Sequence, residues 1–273
     1  MRDDARTLAQ SRGRPQVVAH RGSSHVNAEH TLAAYVAALD EGAEGLECDV
    51  RLTADGHLVC VHDRWVDRTA NARGPVSTMD LADLNELDFA AWKHPWADFD
   101  DEAPEIDEET RKVLTTRRLM ETTADYARPV DLAIETKHPT RYAGLVERRL
   151  VELLESFGWA GKNSAARVMS FSLVALNRVK KLAPDLDTVL LVDHLYSWQV
   201  SKTLMGEDWV VGPGIDLLRE NPSFGRKLHR RGRRIHVWTV NTPQDLDLCV
   251  DLGVEAVITD RPAAALAHLN GGV

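Results

Sequence analysis

The chain has 273 residues, of which 44% are hydrophobic and 27% are charged, and its formal net charge at pH 7 is −9. This length suits one large domain or two small ones, and the hydrophobic fraction is sufficient for a packed core. Nucleic-acid-binding proteins usually present a basic face, so the acidic balance predicts no nucleic-acid partner. A site for an anionic ligand would therefore need a local cluster of cations or a metal ion.

Targeting signals are not evident in the sequence. The first 16 residues include acidic side chains and lack the apolar core of a signal peptide. No window approaches the roughly 18 consecutive apolar residues of a membrane span. Cys48, Cys60 and Cys249 have no metal-type spacing, and their odd number suits a reducing compartment. We therefore expect a cytoplasmic protein without stable membrane insertion; no pattern indicates its oligomeric state.

Short β-rich runs alternate with helical patterns along the whole chain. The predicted strands are VVAH (17–20), GLECDV (45–50), HLVCVH (57–62), VDLAIET (130–136), RVMSFS (167–172), TVLLV (188–192), WVVGP (209–213), RRIHVWTV (233–240) and EAVIT (255–259). The predicted helices cover 31–42, 141–158, 173–184, 228–232 and 243–253. Such alternation predicts βα units around a parallel sheet, and at this length a TIM-type (β/α)₈ barrel.

Nine predicted strands are one more than such a barrel needs, and WVVGP has the weakest pattern. The second and third strands are separated by only RLTADG, which is too short for a parallel crossover. Asp55-Gly56 is a hairpin signal, so these two strands should form an irregular β2–β3 hairpin. If the chain folds symmetrically about that pair, Asp49 lies opposite His62.

Residues 64 to about 114 are too many for an ordinary loop between strand and helix. We interpret them as a small helical insertion after β3 in a single domain of residues 1–273. Large apolar side chains in this segment (Trp65, Phe89, Trp92, Trp96 and Phe99) suggest a cap over the mouth of the barrel. The acidic tract at 98–109 lacks the glycine turn of a calcium loop and is interpreted as a solvated surface.

Charged residues lie at the C-terminal ends of apolar strands, where barrel enzymes place their catalytic groups. Because side chains alternate along a strand, Glu47 and Asp49 share one face, as do Glu135 and Lys137. Three converging carboxylates repel one another unless a cation lies among them. The cluster therefore either binds a divalent metal through oxygen ligands, which Mg²⁺ and Ca²⁺ prefer, or forms salt bridges with Arg21 and Lys137.

The order of these motifs resembles the glycerophosphodiester phosphodiesterase family. The similarity rests on HRGSS, AEHT, GLECDVRLTADGHLVCVHD, the DRT element, IETK, VWTVN and GVEAVITDRP, and it extends from about Val17 to Pro262. The resemblance implies a TIM-type barrel that hydrolyses glycerophosphodiesters to glycerol 3-phosphate and an alcohol with a divalent metal. It also implies that the glycerol 2-hydroxyl attacks first and gives a cyclic phosphate, as in related barrel phosphodiesterases.

The same resemblance assigns roles to individual residues. His20 and His62 correspond to the catalytic histidines; Glu47, Asp49 and Glu135 to the metal ligands; and Arg21, Lys137 and Trp238 to substrate-binding residues. In AEHT, Ala28 and His30 replace the family's proline and asparagine, so the shape of this first loop is expected to differ. His138 and His236 are further candidates for the pocket wall.

Two other functions remain open at this stage. A phospholipase D-like enzyme of the same superfamily would act on lysophospholipid or sphingolipid head groups, and it would need an exposed apolar mouth. A catalytically inactive barrel that serves as a binding module would have lost a ligand or a histidine, whereas this chain retains all five. We expect a small-molecule glycerophosphodiester as the substrate; the sequence does not indicate the preferred head group.

Overall fold

A computed structural model describes residues 13–93 and 111–271 of the chain. The strands are β1 (Gln16–His20), β2 (Gly45–Leu52), β3 (Leu58–Cys60), β4 (Asp131–Thr136), β5 (Ala166–Ser170), β6 (Asp187–Val192), β7 (Val210–Pro213), β8 (His236–Val237) and β9 (Ala256–Thr259). All nine predicted strands are therefore confirmed, although β8 is much shorter than predicted.

Eight of the strands form a parallel barrel in the order β7-β6-β5-β4-β2-β1-β9-β8, and β3 pairs with β2 outside this path. Parallel bridges from Val211 to Ile235 and from Gly214 to Trp238 connect β7 to β8. The TIM-type (β/α)₈ barrel is thus confirmed. WVVGP, which had the weakest strand pattern in the sequence, forms the barrel strand β7. The strand beyond the eight that the barrel needs is β3.

The helices follow the strands as α1 (Leu32–Asp40), α2 (Leu81–Asn85), α3 (Thr116–Ala124), α4 (Leu145–Ser156), α5 (Leu173–Leu182), α6 (Leu195–Ser201), α7 (Ile215–Glu220), α8 (Pro222–Arg230), α9 (Pro243–Asp251) and α10 (Pro262–Leu269). The five predicted helices are present, with LHRRG forming the end of α8. The sequence analysis did not predict α3, α6, α7 and α10. No helix in the described part of the chain combines the length and apolarity needed to cross a membrane.

Two hydrophobic clusters explain why the barrel strands read as continuous apolar runs. One cluster fills the barrel interior and includes Val18, Ala133, Met169 and Ile258. The other lies between the strands and the surrounding helices and includes Leu46 and Cys48. Since alternate residues face opposite sides, these contacts direct His20, Glu47, Asp49 and Glu135 into the barrel.

The hairpin was predicted correctly, but its register was not. Val50 pairs with Cys60, and the backbone N–H of Val61 donates to the carbonyl of Asp49 at 3.0 Å, so Asp49 lies opposite Val61. The connection is a three-residue loop, Ala54 to Gly56, in which Gly56 has φ +88°. This loop type contains one residue more than the symmetric turn we assumed, and the register therefore shifts by one.

The described part of the insertion, residues 64–93, contains a 3₁₀ turn (Val76–Thr78) and the short helix α2. It packs against β3 through a separate cluster of buried residues (Val59, Val61, Val66, Val76, Leu84, Phe89 and Val113). Phe89 thus belongs to this cluster, while Trp65 is half exposed. Trp96, Phe99, the acidic tract and the first 12 residues lie outside the described ranges.

Two glycines with the same backbone conformation provide a matched test of packing around the first loop. Gly22 and Gly56 both have φ +88°; a Cβ at Gly22 would lie 2.6 Å from the backbone carbon of Ala34, whereas one at Gly56 meets nothing within 4 Å. Both alanine variants incur about 1–2 kcal/mol of left-handed strain. Gly22→Ala also forces α1 away from the loop, which adds about 1–3 kcal/mol.

We therefore expect Gly22→Ala to melt roughly 2–4 °C lower than Gly56→Ala for each additional kcal/mol. Differential scanning calorimetry of both variants checks this. Equal melting temperatures would show that the loop does not pack on α1 as described.

Candidate active site

Strand register brings the predicted site residues to one end of the barrel. His20, the last residue of β1, pairs with Glu47 of β2, and two residues further along β2 Asp49 pairs with Glu135 of β4. In parallel strands, paired residues point to the same side, so all four side chains face the interior. They lie at the carboxyl end of the strands, which is where barrel enzymes have their active sites.

The three predicted metal ligands form one compact cluster. Ligand oxygens of Glu47, Asp49 and Glu135 lie within 4.8 Å of one another, and all three residues are buried. Burial and the charge of Asp49 raise the pKa of Glu47 well above its usual range. Burial and Asp49 also raise the pKa of Glu135 to about 7, although Lys137 opposes this. These carboxylates therefore disfavour one another's ionisation, and a cation placed among them would relieve that strain.

Asp49 stays ionised because donors and cations surround it. Arg21 Nε lies 3.0 Å from Oδ2, and Lys137 Nζ lies 3.2 Å from Oδ1. His30 Nε2 lies 2.9 Å from Oδ2. Burial alone would raise the pKa of Asp49, but the hydrogen bond from His30 and the charges of Lys137 and Arg21 outweigh it and lower that pKa well below its usual range. Lys137 also binds Glu135 at 2.8 Å.

Each predicted catalytic histidine is held by an aspartate. His20 Nδ1 lies 2.7 Å from Asp260 Oδ1, and His62 Nδ1 lies 2.7 Å from Asp63 Oδ1. In both rings the aspartate fixes the proton on Nδ1 and leaves Nε2 free to exchange a proton. Burial and the charges of Arg21 and Lys137 lower the pKa of His62, although Asp49 and Asp63 oppose this. The two rings are therefore oriented for acid–base chemistry.

The insertion braces the loops that carry these residues. Arg68 makes two hydrogen bonds to Glu29, at 2.7 and 2.8 Å, and a third to Asp63 Oδ2 at 2.6 Å. Glu29 in turn accepts a hydrogen bond from Arg21 at 3.1 Å. Arg68 thereby connects the partner of Arg21 to the partner of His62. Lys93 adds a hydrogen bond to the carbonyl of Ser24 at 2.8 Å.

Seven of the eight predicted site residues line one cavity of about 140 Å³. His20, Arg21, Glu47, His62, Glu135, Lys137 and Trp238 face it, together with the apolar Met169, Phe171, Leu191 and Ile258. Asp49, the eighth, lies behind them and is 1% exposed. Phe171 packs edge-on against Trp238 with 5.4 Å between ring centroids. The cavity thus has one ionic wall and one apolar wall.

Some predicted neighbours of the site lie elsewhere. His236 is fully buried and 3.6 Å from Glu255, and His138 binds the buried Glu147 at 2.7 Å; neither lines this cavity. No residue of 64–93 lines it either, so this part of the insertion is not the cap that the sequence predicted.

Sequence reasoning missed four residues that shape the site: Asp260, His30, Arg68 and Phe171. Asp260 and Arg68 lie within motifs that carried the resemblance, ITDRP and DRT, so a signal was present. The replacement of asparagine by His30 was noticed, but its contact with Asp49 depends on the tertiary fold. Phe171 follows β5 and has no signal beyond its position at a strand end.

A carboxylate cluster balanced by cations at the mouth of a (β/α)₈ barrel defines an enzyme of that fold that acts on an anionic substrate. Residues 20–264 match the sequence profile of the Glycerophosphoryl diester phosphodiesterase family. The chain belongs to this family of phosphoric diester hydrolases.

Individual relatives agree with this assignment. The chain is 45% identical over 265 residues to a probable glycerophosphodiester phosphodiesterase 1 of Mycobacterium tuberculosis, covering 95% of this chain and 94% of that protein. It is 32% identical to the glycerophosphodiester phosphodiesterase of Bacillus subtilis, covering 90% and 83% of the two chains. Among solved structures, an Oleispira antarctica phosphodiesterase in complex with the product sn-glycerol-3-phosphate has a similar fold, with a TM-score of 0.80, 24% identity and coverage of 96% and 99%.

Replacing Asp260 with asparagine tests the orientation of His20. The carboxylate accepts from His20, Ser24 and Asn241, and these hydrogen bonds, against the effect of burial, lower its pKa far below the usual range. An amide can present its N–H to Nδ1 and stabilise the wrong tautomer of the ring, a change that costs up to about 10⁴-fold in kcat where it has been measured.

We expect Asp260→Asn to lower kcat by at least about 10²-fold with little change in KM. Steady-state kinetics on a glycerophosphodiester gives both constants. Asn241→Ala, which removes a different neighbour of Asp260, serves as the milder comparison. A kcat of Asp260→Asn within a few-fold of the unmodified enzyme would mean that His20 does not need this partner.

Proposed function

We propose that this protein hydrolyses glycerophosphodiesters to glycerol 3-phosphate and an alcohol, with a divalent metal and with His20 and His62 as acid–base catalysts, on a single barrel domain that spans the chain. The observation that carries the proposal is one cavity lined by two buried carboxylates, two cations and two histidines, with the third carboxylate, Asp49, directly behind. Each histidine is held by an aspartate. The relatives named above, which carry the same activity in their names, support the substrate class.

The residues present fit a divalent cation better than a closed set of salt bridges. Within the described residues, Arg21, Arg68 and Lys137 form ion pairs with Glu29, Asp49, Asp63 and Glu135, but Glu47 has no arginine or lysine partner. A divalent ion would allow Glu47 and Glu135 to ionise beside Asp49, which otherwise raises their pKa values. Asp49 Oδ1 is buried and contacts Lys137 Nζ at 3.2 Å, which leaves an acceptor position for a cation.

All the available ligand atoms are carboxylate oxygens, which suit Mg²⁺ or Ca²⁺. Glu47, Asp49 and Glu135 would hold the ion. When bound, it would neutralise charge on the phosphoryl oxygens and polarise the phosphorus centre.

Arg21 and Lys137 supply the remaining charge complementarity for the substrate phosphate. Both side chains line the cavity and are at least partly buried, so their charges act in a medium of lower dielectric constant than water. They are already held in place by Glu29, Asp49 and Glu135, so little reorganisation is needed as charge develops on the phosphate. Trp238 and Phe171 form the apolar wall against which the carbon skeleton of the substrate can pack.

The two histidines carry the protons. One ring accepts the proton of the glycerol 2-hydroxyl through Nε2 while its oxygen bonds to phosphorus, and the other donates the proton that the departing alkoxide needs. In the second step, water gives up a proton and opens the resulting cyclic phosphate, and the oxygen that leaves phosphorus regains a proton. The sum of both steps is hydrolysis of one P–O bond.

Metal removal tests the ligand assignment. Dialysis against EDTA should abolish release of glycerol 3-phosphate from glycerophosphocholine, and added Mg²⁺ or Ca²⁺ should restore it, because the uncompensated carboxylates would otherwise repel the phosphate. Lysophosphatidylcholine is assayed in parallel to compare a substrate with an acyl chain. Full turnover after extensive dialysis in EDTA contradicts the metal dependence.

The histidine pair is tested by single and double substitution. His20→Ala and His62→Ala should each lower kcat by at least about 10²-fold, which is the usual contribution of positioned acid–base groups. Because the two rings act in the same proton transfers, the double variant should be little worse than either single one. Circular dichroism confirms that the variants are folded.

If the two rings acted independently, the fold-loss of kcat in the double variant would equal the product of the two single losses, which would contradict a shared role. His57→Ala, an exposed histidine in the same hairpin as His62, is the matched control and should keep full activity.

A further inference from the structure

We propose that His30 is a positioning residue of the metal site: its imidazole holds the Asp49 carboxylate so that Oδ1 is directed at the ion. The inference rests on the proposed function, since it concerns the same cluster of ligands. His30 takes the place of an asparagine in the family motif that this sequence resembles.

His30 is fixed on both sides of its ring. The residue is 5% exposed; Nε2 lies 2.9 Å from Asp49 Oδ2, and Nδ1 lies 2.8 Å from the hydroxyl oxygen of Tyr35. A carboxylate only accepts hydrogen bonds, so Nε2 carries a hydrogen and donates it to Asp49. The Tyr35 hydroxyl on the other side of the ring donates to the carbonyl of Glu47 at 3.0 Å, which anchors it to β2. The ring is therefore held between Tyr35 and Asp49.

The contact with His30 gives the two oxygens of Asp49 different roles. Oδ2 is held by His30 and lies 3.0 Å from Arg21 Nε. Oδ1 lies 3.2 Å from Lys137 Nζ, and the Asp49 carboxylate lies within 4.8 Å of ligand oxygens of Glu47 and Glu135. A carboxylate anchored through one oxygen cannot rotate freely, so its other oxygen keeps a fixed direction.

The backbone explains how the ring reaches this position. His30 has φ +62° and its N–H donates to the carbonyl of Arg21, which itself has φ +58°. Histidine and asparagine both tolerate the left-handed region better than most residues. The same strained loop therefore accepts either side chain, and with histidine it places a donor against Asp49.

The test measures metal binding by the apoprotein, which does not depend on turnover. Isothermal titration of EDTA-treated protein with Ca²⁺ or Mg²⁺ gives the dissociation constant. We expect His30→Leu to weaken binding by about 10–100-fold, the usual effect of removing a partner of a ligand. His30→Gln, whose amide can still donate to Asp49, should recover much of this loss.

His236→Leu is the matched control because His236 is also a fully buried histidine but does not line the cavity. It should lower the melting temperature without changing metal affinity. If His30→Leu does not fold, His30→Gln is compared with the unmodified protein instead. The dissociation constant of His30→Gln for the metal should lie within about tenfold of that of the unmodified protein. It should also be lower than the dissociation constant of Asp49→Asn.

Two outcomes overturn the inference. One is unchanged metal affinity in folded His30→Leu, and the other is an equal loss in His236→Leu, which would make the effect a general one of packing. The titration of the unmodified protein separates this inference from the proposed function. If that protein binds neither ion, the metal site itself is refuted, and the role of His30 is refuted with it.

Discussion

Burial of like charges is the constraint on which the rest of the site depends. Glu47, Asp49 and Glu135 project from strands whose other residues are almost entirely apolar, and an isolated buried carboxylate is strongly unfavourable. Arg21, Lys137 and His30 are arranged around Asp49 for this reason, and their contacts fix them before any substrate arrives. The cations that would bind a phosphate are thus held in place by the carboxylates that would bind a metal.

Support for the site comes from loops as much as from strands. Asp260 and Asp63 each hold one of the two histidines, and Arg68 connects Asp63 to Glu29. The insertion therefore acts in its described part as a brace between loops. Such bracing restricts movements of less than 1 Å, which matter for rates because reacting atoms must be closely aligned.

Sequence alone was sufficient for the barrel, its hairpin and the location of the eight proposed site residues at one end of the barrel, because strand ends and motif order both mark the mouth. Their roles remain predictions. Sequence was insufficient for the register of the hairpin, in which Asp49 lies opposite Val61, because this register depends on whether the loop has two or three residues. Contacts between distant segments, such as His20 with Asp260 or His30 with Asp49, have no local pattern. Phe89 was misinterpreted for a related reason: its hydrophobicity indicates burial but not that it packs into the cluster beside β3.

The two histidines are supported by different segments. His20 ends a strand of the barrel, and its partner Asp260 follows the neighbouring strand β9. His62 follows β3, which pairs with β2, but its partner Asp63 is held by Arg68 of the insertion.

The insertion contacts the first loop of the barrel through partly exposed polar contacts, Arg68 with Glu29 and Lys93 with Ser24. Segments held in this way open at lower free energy than a barrel core. Local opening of the insertion would release Asp63 and His62 while the barrel stays intact, so loss of activity on heating should precede global unfolding, and added salt should lower the temperature at which it occurs.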